Sequence, residues 1–447
     1  MAQELKHNRL VFIDIARSIA ILMMLEGHFI VMALGEEYRG DNYLLYEIWR
    51  FTRGLTAPLF FTVAGLVFTY LLVRKEAPFF SNIRVKKGFS RGVQLIFWGY
   101  LLQLNIFYLI KGSFSGYLYV FHVLQCIGAS LIVVLLLHGL QKLLRVVPFA
   151  LILAVGGVFG FILKPTIYQL DFSNVHPVVE NIFVITAEDR THKSIFALFP
   201  WLGFTLLGAA LGAFVSTRPH KVYTLWFPVL LVAIGVLLNL FSDSLLALIQ
   251  PALKGIGMKP FVGLGYLFAR FGQVLAVLAI IIITGKYKRE IGVFYRKKLH
   301  FLSSWWLSVM ILLVGLSFVG YALYLETLPT WKNSEFHPML IQGLTLSAFG
   351  QLVLFIGLIT VAAKLVKWNY DLFIKMGQNT LSIYIVHVII LYGGIFGFGL
   401  SQLFQRSMDP WTAIIGAVIF MLIFVYFIRY LEDIKEFYKR IIPSFKK

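Results

Sequence analysis

Apolar residues along this chain come in long unbroken blocks separated by short polar segments. There are about twelve blocks of roughly 17 to 25 residues, the length that crosses a bilayer as a helix. They lie near 10–34, 54–74, 89–111, 118–140, 147–164, 195–216, 223–242, 262–285, 301–325, 341–367, 372–399 and 411–431. The fifth is short and Gly-rich (AVGGVFGFIL), so eleven crossings is the alternative. Runs of this length satisfy their own backbone only as helices, whereas barrel strands are shorter and alternate in polarity. The pattern predicts an all-α, polytopic helical bundle that forms a single domain over residues 1–447, with a polar tail at 432–447.

The connecting segments carry a second pattern. Alternate segments, counted from the N-terminus, hold about two thirds of the 40 Lys and Arg, including RKEAPFFSNIRVKKGFSR, KYKREIGVFYRKK and the tail from Arg429. This asymmetry predicts an even number of spans with both termini in the cytoplasm. The first block starts at about Leu10 without a small-residue cleavage pattern, so it is expected to stay as a span. Composition agrees: 59% of the chain is hydrophobic and 14% charged, against about 25% charged in soluble domains. Mean hydropathy is +0.82. The net charge of +19 belongs to cytoplasmic loops rather than to a nucleic-acid surface, because no basic run lies in a soluble segment. A single cysteine, Cys126, excludes a disulfide framework and a Cys-based metal site.

The first block, DIARSIAILMMLEGH, carries four ionisable residues. On a helix Arg17 and His28 fall within about 20° of one another and about 16 Å apart along the axis. Asp14, Arg17, Ile21, Met24 and His28 therefore share one stripe, and Glu26 points elsewhere. With the N-terminus inside, Asp14 and Arg17 lie in the inner half of the membrane and His28 in the outer half. Ionisable groups inside a span are costly and face a cavity or a partner. A purely structural Asp14–Arg17 pair fits the inner two as well as a functional one does.

Other spans bring polar groups to the depth of His28. The eleventh, MGQNTLSIYIVHVIIL, puts Thr380, Tyr384 and His387 on one face. The fourth contributes His122 and Gln125, and the third ends at Gln103 and Asn105. Trp201, Arg270 and Gln273 enter from outside, and Arg53 stands at the outer end of the second span. The longest outer loop, 165–194, mixes acidic, basic and His residues and reads as a functional loop or a plain lid. Any one of these histidines also fits a packing role. As a set they predict a hydrated pocket in the outer half.

RLVFIDIARSIAILMMLEGHF resembles the first span of the transmembrane acyltransferase superfamily, whose Asp, Arg and His fall here on Asp14, Arg17 and His28. RGLTAPLFFTVAGLVF, FPWLGFTLLGAALGAF and GQNTLSIYIVHVIIL resemble motifs of the bacterial relatives of heparan-alpha-glucosaminide N-acetyltransferase. The acyltransferase-three family is a more distant likeness. The similarity runs from about residue 9 to 431. One departure is Ser18, where relatives commonly have Gly.

The resemblance implies a bacterial inner-membrane enzyme. It would move an acyl group, acetyl above all, from cytoplasmic acetyl-CoA to an extracytoplasmic hydroxyl or amine of a sugar or glycan. It also implies that His28 is catalytic. As general base His28 would deprotonate the acceptor, and as nucleophile it would form an acyl-imidazole. The first needs one intermediate fewer. His387 would orient the acceptor, assist proton transfer or stabilise the oxyanion. Arg17, with Asp14, would mark the CoA side, with Lys86 and Lys87 as weaker phosphate contacts. His122, Asn105, Arg53, Trp201 and Arg270 are the expected acceptor contacts. No spacing supports a metal site. The rival from another class is a secondary transporter with broken helices, and a third reading is a non-catalytic assembly protein. The acceptor and the oligomeric state are open, and an oligomer is compatible with the sequence.

Overall fold

The computed structural model describes residues 10–40, 43–74, 77–144, 147–172, 174–185, 194–255, 257–261, 263–286, 305–327, 350, 353, 357 and 370–441. Its principal helices are, in chain order, α1 (Val11–Ala33), α2 (Leu44–Arg53), α3 (Thr56–Val73), α4 (Ile83–Gln103), α5 (Val123–Leu144), α6 (Phe149–Ile162), α7 (Leu198–Thr217), α8 (Trp226–Lys254), α9 (Gly265–Lys286), α10 (Trp305–Thr327), α11 (Tyr370–Gln378), α12 (Thr380–Tyr392) and α13 (Pro410–Ile441). No strand occurs among the described residues.

Among the described residues seven helices are long and apolar enough to cross a membrane: Val11–Ala33, Leu45–Val73, Gly116–Leu144, Leu198–Thr217, Trp226–Lys254, Gly265–Lys286 and Pro410–Ile434. They correspond to seven of the expected blocks, and the chain is an integral membrane protein with an all-α, polytopic fold. The block at 89–111 is part of α4, whose N-terminal end carries Arg84, Lys86, Lys87 and Arg91. The block at 147–164 is the short helix α6, and that at 301–325 is α10. The block at 341–367 lies almost wholly outside the described residues. The block at 372–399 is no straight span. It is α11 followed by α12, bent by 78° at a short break.

The chain forms two compact units. The first comprises residues 1–56, 287–393 and 398–447, and the second 57–286 and 394–397. In the first unit α1 lies against α11, α12 and α13. It buries residues around much of its circumference, including Asp14, Ser18, Ile21, Met24 and Phe29, as expected of a helix that is apolar all round. Phe29 packs on Phe420 of α13 at 5.4 Å between ring centroids. The C-terminal end of α1 is tied to the 406–408 segment by three backbone bonds: Arg406 N–H to Met32 O, Met408 N–H to Ala33 O and Gly35 N–H to Met408 O. Asp409 then caps α13, accepting from the Trp411 and Thr412 amides. Those bonds and the Thr412 hydroxyl hold its carboxyl below the usual carboxylate range.

In the second unit small residues set the helix spacing. Gly208 and Gly212 of α7 face the Thr62 and Leu66 carbonyls of α3, and a Cβ at Gly208 would run into the Thr62 carbonyl. This small-xxx-small pattern lets two membrane helices approach backbone to backbone. Gly208→Leu is expected to cost about 1–3 kcal/mol through overpacking. A lower melting temperature in detergent checks it, and an unchanged one would contradict this crossing.

Candidate active site

The eleventh block breaks because its sequence, MGQNT, allows it. Asn379 leaves helical geometry at φ −110°, ψ 28° and stands at the N-cap of α12 without a side-chain cap; its side-chain amide donates back to the Lys375 carbonyl at 2.9 Å. Beyond the break α12 buries Thr380, Ile383, Tyr384, His387 and Leu391, a single face at helical spacing. Within the first unit, that face and the stripe of α1 meet at two levels.

At the first level, near the N-terminus of α1, Arg17 donates through Nη2 to Thr380 Oγ1 at 2.9 Å. Asp14 is buried, and its backbone carbonyl lies 2.9 Å from Ser18 Oγ. At the second level, about three turns along α1, His28 Nδ1 and His387 Nε2 are 2.9 Å apart. His387 is 0% exposed, whereas His28 is half-buried. Tyr392 stands edge-on to His28 at 6.2 Å and Tyr384 edge-on to His387 at 5.0 Å.

The hydrogen-bond partners assign the protons in the neutral pair. His387 Nδ1 is 3.2 Å from the Ile383 carbonyl, which can only accept, so Nδ1 of His387 carries a hydrogen. Its Nε2 is then the acceptor, and the hydrogen between the rings belongs to His28 Nδ1. In His28 that leaves Nε2 as the unprotonated nitrogen. A backbone carbonyl thus sets the tautomer of a buried ring, and the buried ring sets that of a half-buried one. Such an imidazole suits proton abstraction or nucleophilic attack.

Glu26, which sequence reading left without a role, has a partner from α2. Trp49 Nε1 donates to Glu26 Oε1 at 2.6 Å. Arg53, at the end of α2, lies over the Trp49 ring at 5.4 Å. Its stem fills the space beside Gly27, where a Cβ would approach it to 3.3 Å. Arg53 is within electrostatic range of both Glu26 and Tyr392, which places it in the neighbourhood of His28. Amphipathic α2 lies in a stretch that hydropathy reads as a loop, so this partnership had no signal beyond the polar–apolar alternation of YEIWRFTR.

The remaining residues singled out from sequence belong to the second unit. Gln125 donates to Gln103 at 2.7 Å, and Gln103 to the Val120 carbonyl at 2.8 Å. His122 lies half-buried at the same end of α5. Asn105 accepts from the Phe107 amide at 2.9 Å. Trp201 stacks on Phe61 at 5.1 Å, lies tilted against Phe196 at 5.0 Å and donates to the Ile195 carbonyl. Arg270 is buried and donates to Gln273 at 3.0 Å, with Tyr266 beneath its guanidinium at 4.9 Å. The described part of the 165–194 loop packs through Asn181, which donates to the Tyr119 carbonyl. Its residues 186–193 lie outside the described residues. Lys86 and Lys87 are exposed near the start of α4. Among the described residues no group of three His, Cys, Asp or Glu is arranged to hold a metal ion.

The family described as heparan-alpha-glucosaminide N-acetyltransferase, catalytic, has a model that matches residues 9–246. That stretch includes Asp14, Arg17, His28, Arg53, Asn105, His122 and Trp201; His387 and Arg270 lie beyond it. No curated protein and no solved structure matches the chain.

Proposed function

The chain belongs to the heparan-alpha-glucosaminide N-acetyltransferase catalytic family, and from that premise we propose that it moves an acetyl group from cytoplasmic acetyl-CoA to a hydroxyl or amine of an extracytoplasmic sugar or glycan. The observation that carries this reading is the Ile383–His387–His28 chain, with its unprotonated nitrogen on the half-buried ring. His28 Nε2 takes the acceptor's proton as the acceptor oxygen or nitrogen attacks the thioester carbonyl. The C–S bond breaks, CoA leaves as thiolate, and the proton passes from His28 to that thiolate. His387, fully buried, does not touch the acceptor. It is a positioning residue that accepts from His28 Nδ1–H and supports the imidazolium as it forms.

Both units form one acyltransferase domain in this reading, with both termini in the cytoplasm of a bacterial inner membrane. Arg17 and Asp14 mark the donor side. Arg17 donates to Thr380, and a guanidinium is the group that suits a phosphate or a carbonyl of CoA. Arg17→Ala is expected to raise KM for acetyl-CoA about tenfold, as loss of a charge-assisted bond would, and to change kcat far less. An unchanged KM would remove Arg17 from the donor site. His122, Asn105, Trp201, Arg53 and Arg270 offer imidazole, amide, indole and guanidinium groups suited to a sugar. A secondary transporter would carry interrupted helices in both halves, and among the described residues there is one bent pair.

The test is label transfer in sealed vesicles. Radiolabelled acetyl-CoA is supplied on the side of the termini, and a panel of amino sugars and envelope glycans on the other. Transfer to an acceptor supports the proposal; no transfer to any acceptor from either side contradicts it.

A further inference from the structure

Phe373 O and Gly377 N–H, four residues apart in α11, lie two residues before its final bond, Asn379 N–H to Lys375 O at 3.1 Å. Each has Ser18 Oγ as a partner. The Ser18 hydroxyl lies 2.5 Å from Phe373 O and accepts from Gly377 N–H at 2.9 Å. Ser18 is itself 0% exposed. A side chain set into the i→i−4 ladder is a recognised cause of a sharp helix kink. Inside a membrane the backbone groups freed by a kink must find partners within the protein. Gly377 is the residue this crossing allows, because a Cβ there would run into the Asp14 carbonyl and come within 2.7 Å of Ser18 Oγ.

Arg17, the neighbour of Ser18, holds Thr380, the first residue of α12. One turn of α1 therefore grips both sides of the break. Past it α12 is a continuous helix of 13 residues, with His387 about 10 Å along from Thr380. A tilt of about 10° at the break would displace His387 by nearly 2 Å, enough to break its bond to His28.

We propose that Ser18 is a positioning residue: its hydroxyl, set into the last turn of α11, holds the bend that brings His387 Nε2 against His28 Nδ1. The kinetic readout rests on the acyl-transfer reading of His28; the geometric readout does not.

The experiment compares wild type, Ser18→Ala and Ser18→Thr, each reconstituted in nanodiscs. Two quantities are read: kcat and KM per folded molecule, and the ¹⁵N signal of the hydrogen bond between the rings of His28 and His387. Ser18→Ala is expected to lower kcat about tenfold, the effect of one buried hydrogen bond. KM for acetyl-CoA stays unchanged and the inter-ring signal is lost. Ser18→Thr, which keeps the hydroxyl, restores both. Should Ser18→Ala not fold, the isosteric Ser18→Cys, with its weak donor, gives the same pattern in reduced form. Wild-type kcat with an intact inter-ring signal in Ser18→Ala overturns the proposal, as does a loss confined to the folded fraction. If wild type transfers no acetyl group, the acyltransferase reading fails, and the inter-ring signal alone decides the role of Ser18.

Discussion

Replacing His28 by Ala is expected to lower kcat for acetyl transfer by about three orders of magnitude, the range of a lost general base. KM for acetyl-CoA is expected to change little, because the donor side is proposed to lie at Arg17, about three turns away along α1. His28 is half-buried beside Gly27 and Tyr392, so the truncation leaves the fold intact and size-exclusion behaviour stays that of wild type. Steady-state kinetics in vesicles checks the expectation, and a His28→Ala enzyme with full activity would end the assignment. The same nitrogen would be the nucleophile of a two-step route. Single-turnover kinetics separates the two: an acyl-enzyme burst without acceptor marks the acyl-imidazole, and its absence marks direct transfer.

The second large effect is at His387. His387→Phe keeps the ring volume in a fully buried site and removes the acceptor for His28 Nδ1–H. The expected loss in kcat is about a hundredfold, with KM for acetyl-CoA unchanged. His387→Gln, whose amide oxygen can take the place of Nε2, keeps most of the activity. A structural role alone would give equal stability losses and no difference in kcat between the two variants. Combining His387→Phe with His28→Ala is expected to be no worse than His28→Ala alone, since the two act as one unit. An additive double mutant would mean that His387 works independently of His28.

The parts of this site set by helical periodicity were legible from the sequence. Arg17 and His28 share a stripe of α1, and Thr380, Tyr384 and His387 share a face of α12, because both follow from 3.6 residues per turn within one helix. Which stripe meets which face depends on packing between segments more than 350 positions apart in the chain. That the Gly-rich eleventh block could be discontinuous was legible, but the place of the break at Asn379 was not. GQN is tolerated in a continuous apolar span, and the bend becomes intelligible only with the Ser18 hydroxyl arriving from α1. Glu26 follows the same logic: its partner Trp49 comes from α2, a short helix in a stretch too polar to read as a span. Ser18 was visible as a departure from Gly, but its use was not, since the groups it meets belong to another element.

The most direct test of the account is the tautomer of His28 in the wild-type protein. Histidine labelled with ¹⁵N, in nanodiscs at a pH where both rings are neutral, distinguishes protonated from unprotonated ring nitrogens, and His387→Gln assigns the signals. The account predicts hydrogen on Nδ1 of both rings and an unprotonated Nε2 on His28. A hydrogen on Nε2 of His28, with Nδ1 bare, would contradict it.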